Sequence, residues 1–290
     1  MIKTRSLLRF LTAAICVVAV AHAQGRKKNP TSKLYVADTV GDTQIDTGLE
    51  IDDLTKKSVY NAEGTVIESK ANSNASVVLS NGTGIYFDVN TRVSIKAFQQ
   101  DSFRPNRDDI EDEPSLSSTR LVIDHGVIGV STSKLVAGST MIYETSLATA
   151  FIRGRQAVIL ATDNLTVISM IQGEATVQGG PLDRPHLVRN RQQIIIRPGD
   201  PGEPNSVTIQ DIPDGNSEDT RVWLEERVLT ADAARKLVYF EVQSRSAADN
   251  SVTLFDGAGD DSSQQIVPIP VVPANPTIQP NVSPANLNSR

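Results

Sequence analysis

Cysteine is nearly absent from this chain. Cys16 is the only one, and it lies in the amino-terminal leader. The remainder therefore has no disulfide framework, no thiol nucleophile and no cysteine metal site. Aromatic residues are scarce at 4%, with a single tryptophan, Trp223. That argues against a thick core built on large rings and against the aromatic platforms of sugar-binding clefts. Histidine numbers three, and only His125 and His186 fall outside the leader. Positive charge is also short: the net charge is −6, and about −9 without Lys3, Arg5 and Arg9. Phosphate binding runs on Lys/Arg patches, so nucleic acid is excluded as an expected partner. No H-E-x-x-H, P-loop, G-x-S-x-G or G-x-G-x-x-G signature occurs, and no cofactor, metal site or catalytic residue is expected.

The longest apolar run, Leu11 to Ala21, is too short for an ordinary span of about 20 residues. It follows a charged start and precedes the A-x-A site Ala21-His22-Ala23. Together these describe a signal peptide over 1–23, cleaved after Ala23, and predict a periplasmic or secreted bacterial protein with no stable membrane span after cleavage. Residues 24–33 form a basic leader, read as solvated.

From 34 to 212 the pattern is strand after strand, rich in Val, Ile and Thr, whose branched side chains fit a pleated surface. Asn81-Gly82 sits between two extended runs, a hairpin signal. In 165–171 both alternating sets are largely apolar, which predicts a strand covered on both faces. In 174–178, Ala175 and Val177 alternate with Glu174, Thr176 and Gln178, which predicts one wet face. Short strands turned this often indicate an all-β fold, a twisted solenoid-like or sandwich packing of short strands. The polar stretch 99–118, acidic and holding two prolines, is expected to be a mobile loop.

The pattern changes at 217–246, which is expected to be helical. Asp219 or Thr220 is a candidate N-cap. Trp223, Val228, Ala231 and Ala234 are placed on one stripe, with Leu224 and Leu237 nearby and Trp223 docking the helix on the β body. Thr230-Ala231-Asp232 is a candidate start for a second helix. Residues 247–290 are expected to be a disordered tail, with six prolines from Ile266 onward. Asp256, Asp260 and Asp261 do not match the spacing of a calcium loop.

Candidate reactive groups are few. Asp124 and His125 are strand neighbours whose side chains point to opposite faces, so they form no dyad. His186 sits in a proline-containing connection. Arg153 and Arg155 flank Gly154; on an alternating strand they would share a face and offer an anion fork, or tie neighbouring segments together. Carboxylates are plentiful enough for a glycosidase pair.

Several of these stretches, taken in order, resemble the FecR-domain family. "ASVVLSNGTGIYFDVNTRVSI", holding Gly82 and Thr83, resembles its early strand–turn–strand element, and "RLVIDHGVIGVST", holding Gly126, a later one. "ETSLATAFIRGRQAVIL" is similar to the family's T-P-x-A-x-A-x-V-R-G-T-x-F-x-V element at Thr145, Ala148, Ala150, Ile152, Arg153 and Gly154. "TVISMIQGEATVQ", holding Gly173, resembles the strand–Gly–strand element that follows. The likeness spans roughly Lys57 to Arg197. Arg155 stands where the family has Thr, and the proline after Thr145 is absent. The resemblance implies a periplasmic, all-β, twisted solenoid-like domain whose relatives contact an outer-membrane transporter, with no catalysis. Gly82, Thr83, Gly126, Arg153, Gly154 and Gly173 are read as structural motif residues.

The expectation is therefore an exported, non-enzymatic FecR-like interaction module of the cell envelope with a protein partner. A carbohydrate-active hydrolase using paired carboxylates and a structural surface or matrix component are the alternatives.

Overall fold

The computed structural model describes residues 32–103, 111–213 and 218–240, with strand pieces at 243–244, 252–253 and 268–270. Seventeen strands form one connected, open network. In chain order they are β1 Lys33–Val40, β2 Thr43–Asp46, β3 Ile51–Asp53, β4 Val59–Asn61, β5 Val66–Ser69, β6 Asn74–Leu79, β7 Gly84–Phe87 and β8 Thr91–Gln100. Then come β9 Ser117–Ser131, β10 Thr140–Glu144, β11 Thr149–Ile152, β12 Gln156–Thr162 and β13 Leu165–Gln172. β14 Ala175–Gln178, β15 His186–Val188, β16 Gln192–Arg197 and β17 Ser206–Asp211 complete it.

The pairings divide into two layers that share β9. Sheet A runs β4-β1-β6-β7-β9-β12-β13-β16-β17, antiparallel throughout. Sheet B runs β3-β2-β5-β8-β9-β10-β11-β14-β15, with β9 and β10 parallel. The first part of β9 pairs in sheet B and the part from Gly126 onward in sheet A. Strand alternation then decides the core. Leu34, Val77, Ile85, Phe87, Ile128, Ile159 and Ile168 of sheet A meet Ile67, Ile95, Leu121, Ile123, Tyr143 and Val177 of sheet B in one buried cluster. Each fully buried aliphatic or phenyl side chain contributes about 1.5–3 kcal/mol, so this interior can hold the fold without disulfides.

The helix α1, Glu218–Leu237, crosses the outer face of sheet A. Leu224 and Val228 pack with Val158 and Ile212, and Ala234 and Val238 with Tyr35 and Val78. At 20 residues it is about 30 Å long, enough to reach from the β13 side to β1. Two strand glycines let it approach closely. A Cβ on Gly129 would stand 2.6 Å from the Arg227 carbonyl oxygen, and one on Gly84 would overlap the Ala231 carbonyl. β13 is thus covered on both faces, Ile168 and Met170 by the sandwich core and Ile171 by the helix layer, whereas β14 has one wet face.

Five expectations are corrected. The loop of 99–118 is narrower, because Gln99 and Gln100 pair with Ser118 and Ser117 and the 111–113 backbone bonds to Lys134; residues 104–110 lie outside the described ones. The helical segment 217–246 ends at Leu237, where β-branched and aromatic Val238-Tyr239-Phe240 turns extended as β18. No second helix starts at Thr230, whose hydroxyl donates back to the Glu226 carbonyl at 2.8 Å within an unbroken α1. Leu237 is exposed rather than part of the docked stripe. Of the tail 247–290, 252–253 and 268–270 are extended and pair with 243–244 and 238–240; its remainder and the signal segment lie outside the described residues.

Candidate functional site

The motif residues gather mostly at one rim of the sandwich. Gly82 and Thr83 form the β6–β7 turn, with Gly82 at φ +85 in the left-handed region that favours glycine. The Asn81 side-chain oxygen accepts from the Thr83 N–H at 3.1 Å, and its amide donates to the Ser117 hydroxyl at 3.0 Å. Hairpin tips are usually exposed. This one is buried, because the segment after residue 110 folds over it. There the buried Glu113 carboxylate accepts from the Val136 N–H at 2.7 Å and from the Ser117 hydroxyl.

Gly154 and Gly173 stand against each other at the corners where β11 passes into β12 and β13 into β14. A Cβ on Gly173 would fall on the Gly154 Cα, and one on Gly154 would lie 2.7 Å from the Gln172 carbonyl oxygen. The Arg153 N–H donates to the Glu174 carbonyl and the Arg155 N–H to Gln172, both at 2.9 Å. The Thr132 hydroxyl donates to the Gly154 carbonyl at 2.9 Å, and the Ser133 hydroxyl to that of Gly82 at 3.3 Å. These bonds tie the Asn-Gly-Thr turn to the R-G corner. Gly126, at φ +100, marks the opposite rim, where β9 changes sheets.

The two arginines share no face, because β11 ends at Ile152 and β12 starts at Gln156. Arg155 pairs with Glu111, which the buried Arg235 of α1 also reaches at 3.1 Å. Arg235 further donates to Asp232 at 2.8 Å, and Asp232 accepts from the Ser131 hydroxyl at 2.9 Å. Burial alone would push the Asp232 carboxyl up; the bonds from Lys236, Ser131 and Arg235 outweigh it and hold the carboxyl below its ordinary range. The other half of α1 is held by Arg227. Its guanidinium donates to Asp88 at 2.7 Å through Nε and stacks 3.6 Å from the centroid of Trp223.

The histidines do not come together. Asp124 lies 3.5 Å from Arg92, and His125 is exposed. His186 lies in β15, 3.0 Å from Asp183. Burial would raise the Asp183 carboxyl, but bonds from His186 and the Gly179 N–H keep it lowered. Glu68 is lowered as well, chiefly by its bond from Lys70. A glycosidase acid needs a carboxyl pushed up; the carboxyls of Glu68, Asp183 and Asp232 are all held down. Among the described residues no group of three His, Cys, Asp or Glu could hold a metal, and no helix is long and apolar enough to cross a membrane.

The two sheets differ in what covers them. Sheet A lies under α1. On the outer face of sheet B, the register aligns Ile142, Phe151, Thr176 and Leu187 in one row across β10, β11, β14 and β15. Phe151 is 47% and Leu187 41% exposed. Arg153, two residues beyond Phe151, is exposed and makes no ion pair among the described residues. Sequence reasoning picked out Arg153 but missed Phe151, Asp88, Arg227 and Arg235. It also missed Gly84 and Gly129, although an isolated glycine inside a strand pattern signals close backbone approach.

A two-layer β-sandwich strapped by one helix is the class that this fold defines. The chain matches no known family profile and no curated protein. Among solved structures it is similar to two crystal structures of a putative anti-sigma factor from Parabacteroides distasonis, at 15% and 14% identity and a TM-score of 0.39 for each. The aligned parts cover 55% and 57% of this chain, and 63% and 74% of those chains.

Proposed function

We propose that the protein is an exported, non-enzymatic FecR-like interaction module of the bacterial cell envelope that binds another envelope protein. The observation that carries this reading is the asymmetry of the two sheets. The helix and its ion pairs occupy the outer face of sheet A, while sheet B offers an exposed row centred on Phe151, with Arg153, which makes no ion pair among the described residues, beside it. An exposed aromatic next to an exposed guanidinium is the composition of a protein-binding anchor. The motif glycines serve the fold in this reading: they make the corners that present the face. The order of the FecR-like elements and the signal-peptide pattern support the family and the location.

Two experiments test it. Envelope fractionation should find the chain outside the cytoplasm with Gln24 as its first residue. Capture from envelope extract should return one protein that Phe151→Ser loses and that Leu229→Ser, on the exposed side of α1, retains. Equal capture by both variants, or a cytoplasmic chain with Met1 intact, would sink the proposal. A preparation that turns over an oligosaccharide would revive the hydrolase alternative.

A further inference from the structure

The two ends of sheet B carry opposite charge on open strand edges, and we infer that copies of this chain associate head to tail, the β3 edge of one against the β15 edge of the next. β3 and β15 are the two outermost strands of sheet B. Among the described residues β3 pairs only with β2, and β15 only with β14. Each therefore presents unpaired backbone donors and acceptors, which invite another strand.

The side chains at the two edges are complementary. At the β3 end, Leu49 is 96% and Ile51 67% exposed, beside the exposed carboxylates of Glu50, Asp52 and Asp53. At the β15 end, Leu187 and the 68% exposed Leu182 stand beside the exposed Arg184 and Arg189. None of these three carboxylates and two guanidinium groups makes an ion pair among the described residues. Sheet A repeats the arrangement with the sign reversed, for the exposed Lys57 precedes its edge strand β4 and the exposed Asp211 ends its edge strand β17. Stacking two copies in the same orientation thus sets acid against base in both layers.

The occupant follows from the charge. A symmetric contact of β3 with β3 would face carboxylates with carboxylates, and β15 with β15 would face arginine with arginine; like charges directly opposite destabilise a strand pair. Within sheet B only the unlike ends match. A contact between unlike surfaces does not close on itself, so it generates linear chains rather than dimers. Phe151 lies on β11, away from both edges, and stays available along such a chain, so this inference stands or falls apart from the partner proposed above.

Sedimentation of the full chain, purified as the cell exports it, tests the idea. At about 50 mM salt, species larger than a dimer should grow with concentration, and about 1 M salt should return the monomer because exposed pairs are screened. Each exposed ion pair is worth roughly a two- to fivefold change in association constant. Arg184→Glu with Arg189→Glu should therefore abolish growth, as should Asp52→Arg with Asp53→Arg. Mixing these two variants should restore association, since each then supplies the charge that the other lacks. A monomer at every concentration in low salt, a discrete dimer that does not grow, or a mixture that stays monomeric would overturn the inference. Should either reversal fail to fold by circular dichroism, the salt dependence of the unaltered chain still decides.

Discussion

Replacing Gly84 and Gly129 together by alanine should loosen α1. Both glycines lie on β-strands facing the helix backbone. A Cβ at Gly129 would come within 2.6 Å of the Arg227 oxygen and 2.7 Å of its carbon, and the Gly84 Cβ would overlap the Ala231 carbonyl. Both obstacles are backbone atoms, so no side chain can swing aside. The helix must lift, and the Leu224, Val228 and Ala234 contacts loosen with it. Overpacking of this kind costs about 1–3 kcal/mol per site. Gly→Ala at an unstrained strand position would otherwise stabilise by about 0.4–1 kcal/mol through the unfolded chain, so the sign of the effect is diagnostic. With a urea slope of about 1–3 kcal/mol per molar, the midpoint should fall by roughly 1 M. Trp223 is the only tryptophan and lies in α1, so its emission reports helix docking alone. The variant should lose its tryptophan signal before its β circular dichroism, whereas the two coincide in the parent chain. A variant with parental midpoint and coincident transitions would refute the docked-helix geometry.

Three further outcomes follow. Asp88→Ala should cost close to the roughly 3 kcal/mol of a broken buried pair, since both side chains are only 11% exposed, and the double variant Asp88→Ala with Arg227→Met should recover much of it in a double-mutant cycle. Tyr143→Phe should raise stability by about 1 kcal/mol in chemical denaturation, because the Tyr143 hydroxyl is buried with no hydrogen-bond partner among the described residues. Lowering the pH should release the helix. The Asp232 carboxyl is held below its ordinary value when folded, so its contribution is fully present above the ordinary carboxylate range and is lost as pH falls through the lowered value. Tryptophan emission of Asp232→Asn should then show a smaller acid transition than that of the parent chain.

Much of the β body was legible because strand periodicity is local. The Asn81-Gly82 turn, the doubly covered 165–171 strand and the half-wet 174–178 strand all follow from which residues alternate. The Val, Ile and Thr content and the lack of aromatics pointed to thin layers for the same reason. What sequence could not place was long-range. Arg227 and Asp88 lie 139 residues apart, and Arg235 and Glu111 124 apart, so neither pair leaves a spacing signal. The acidic stretch 99–118 reads as loop by composition, yet Glu113 is buried because its partners, Ser117 and Val136, reach it only once β9 and β10 are in place. Arg153 and Arg155 diverge because Gly154 is a corner, a fact set by the contact with Gly173 rather than by their spacing. Phe151 was hidden in an apolar run; only sheet register shows it on the outer face.

The claim on which the functional account turns is that an uncovered sheet face, rather than a pocket, carries the activity. A photo-crosslinking amino acid placed at position 151, and separately at position 229 on α1, measures this in living cells. The account predicts an adduct with one envelope protein from position 151 and none from position 229. Adducts from the helix position alone, or from neither position, would contradict it.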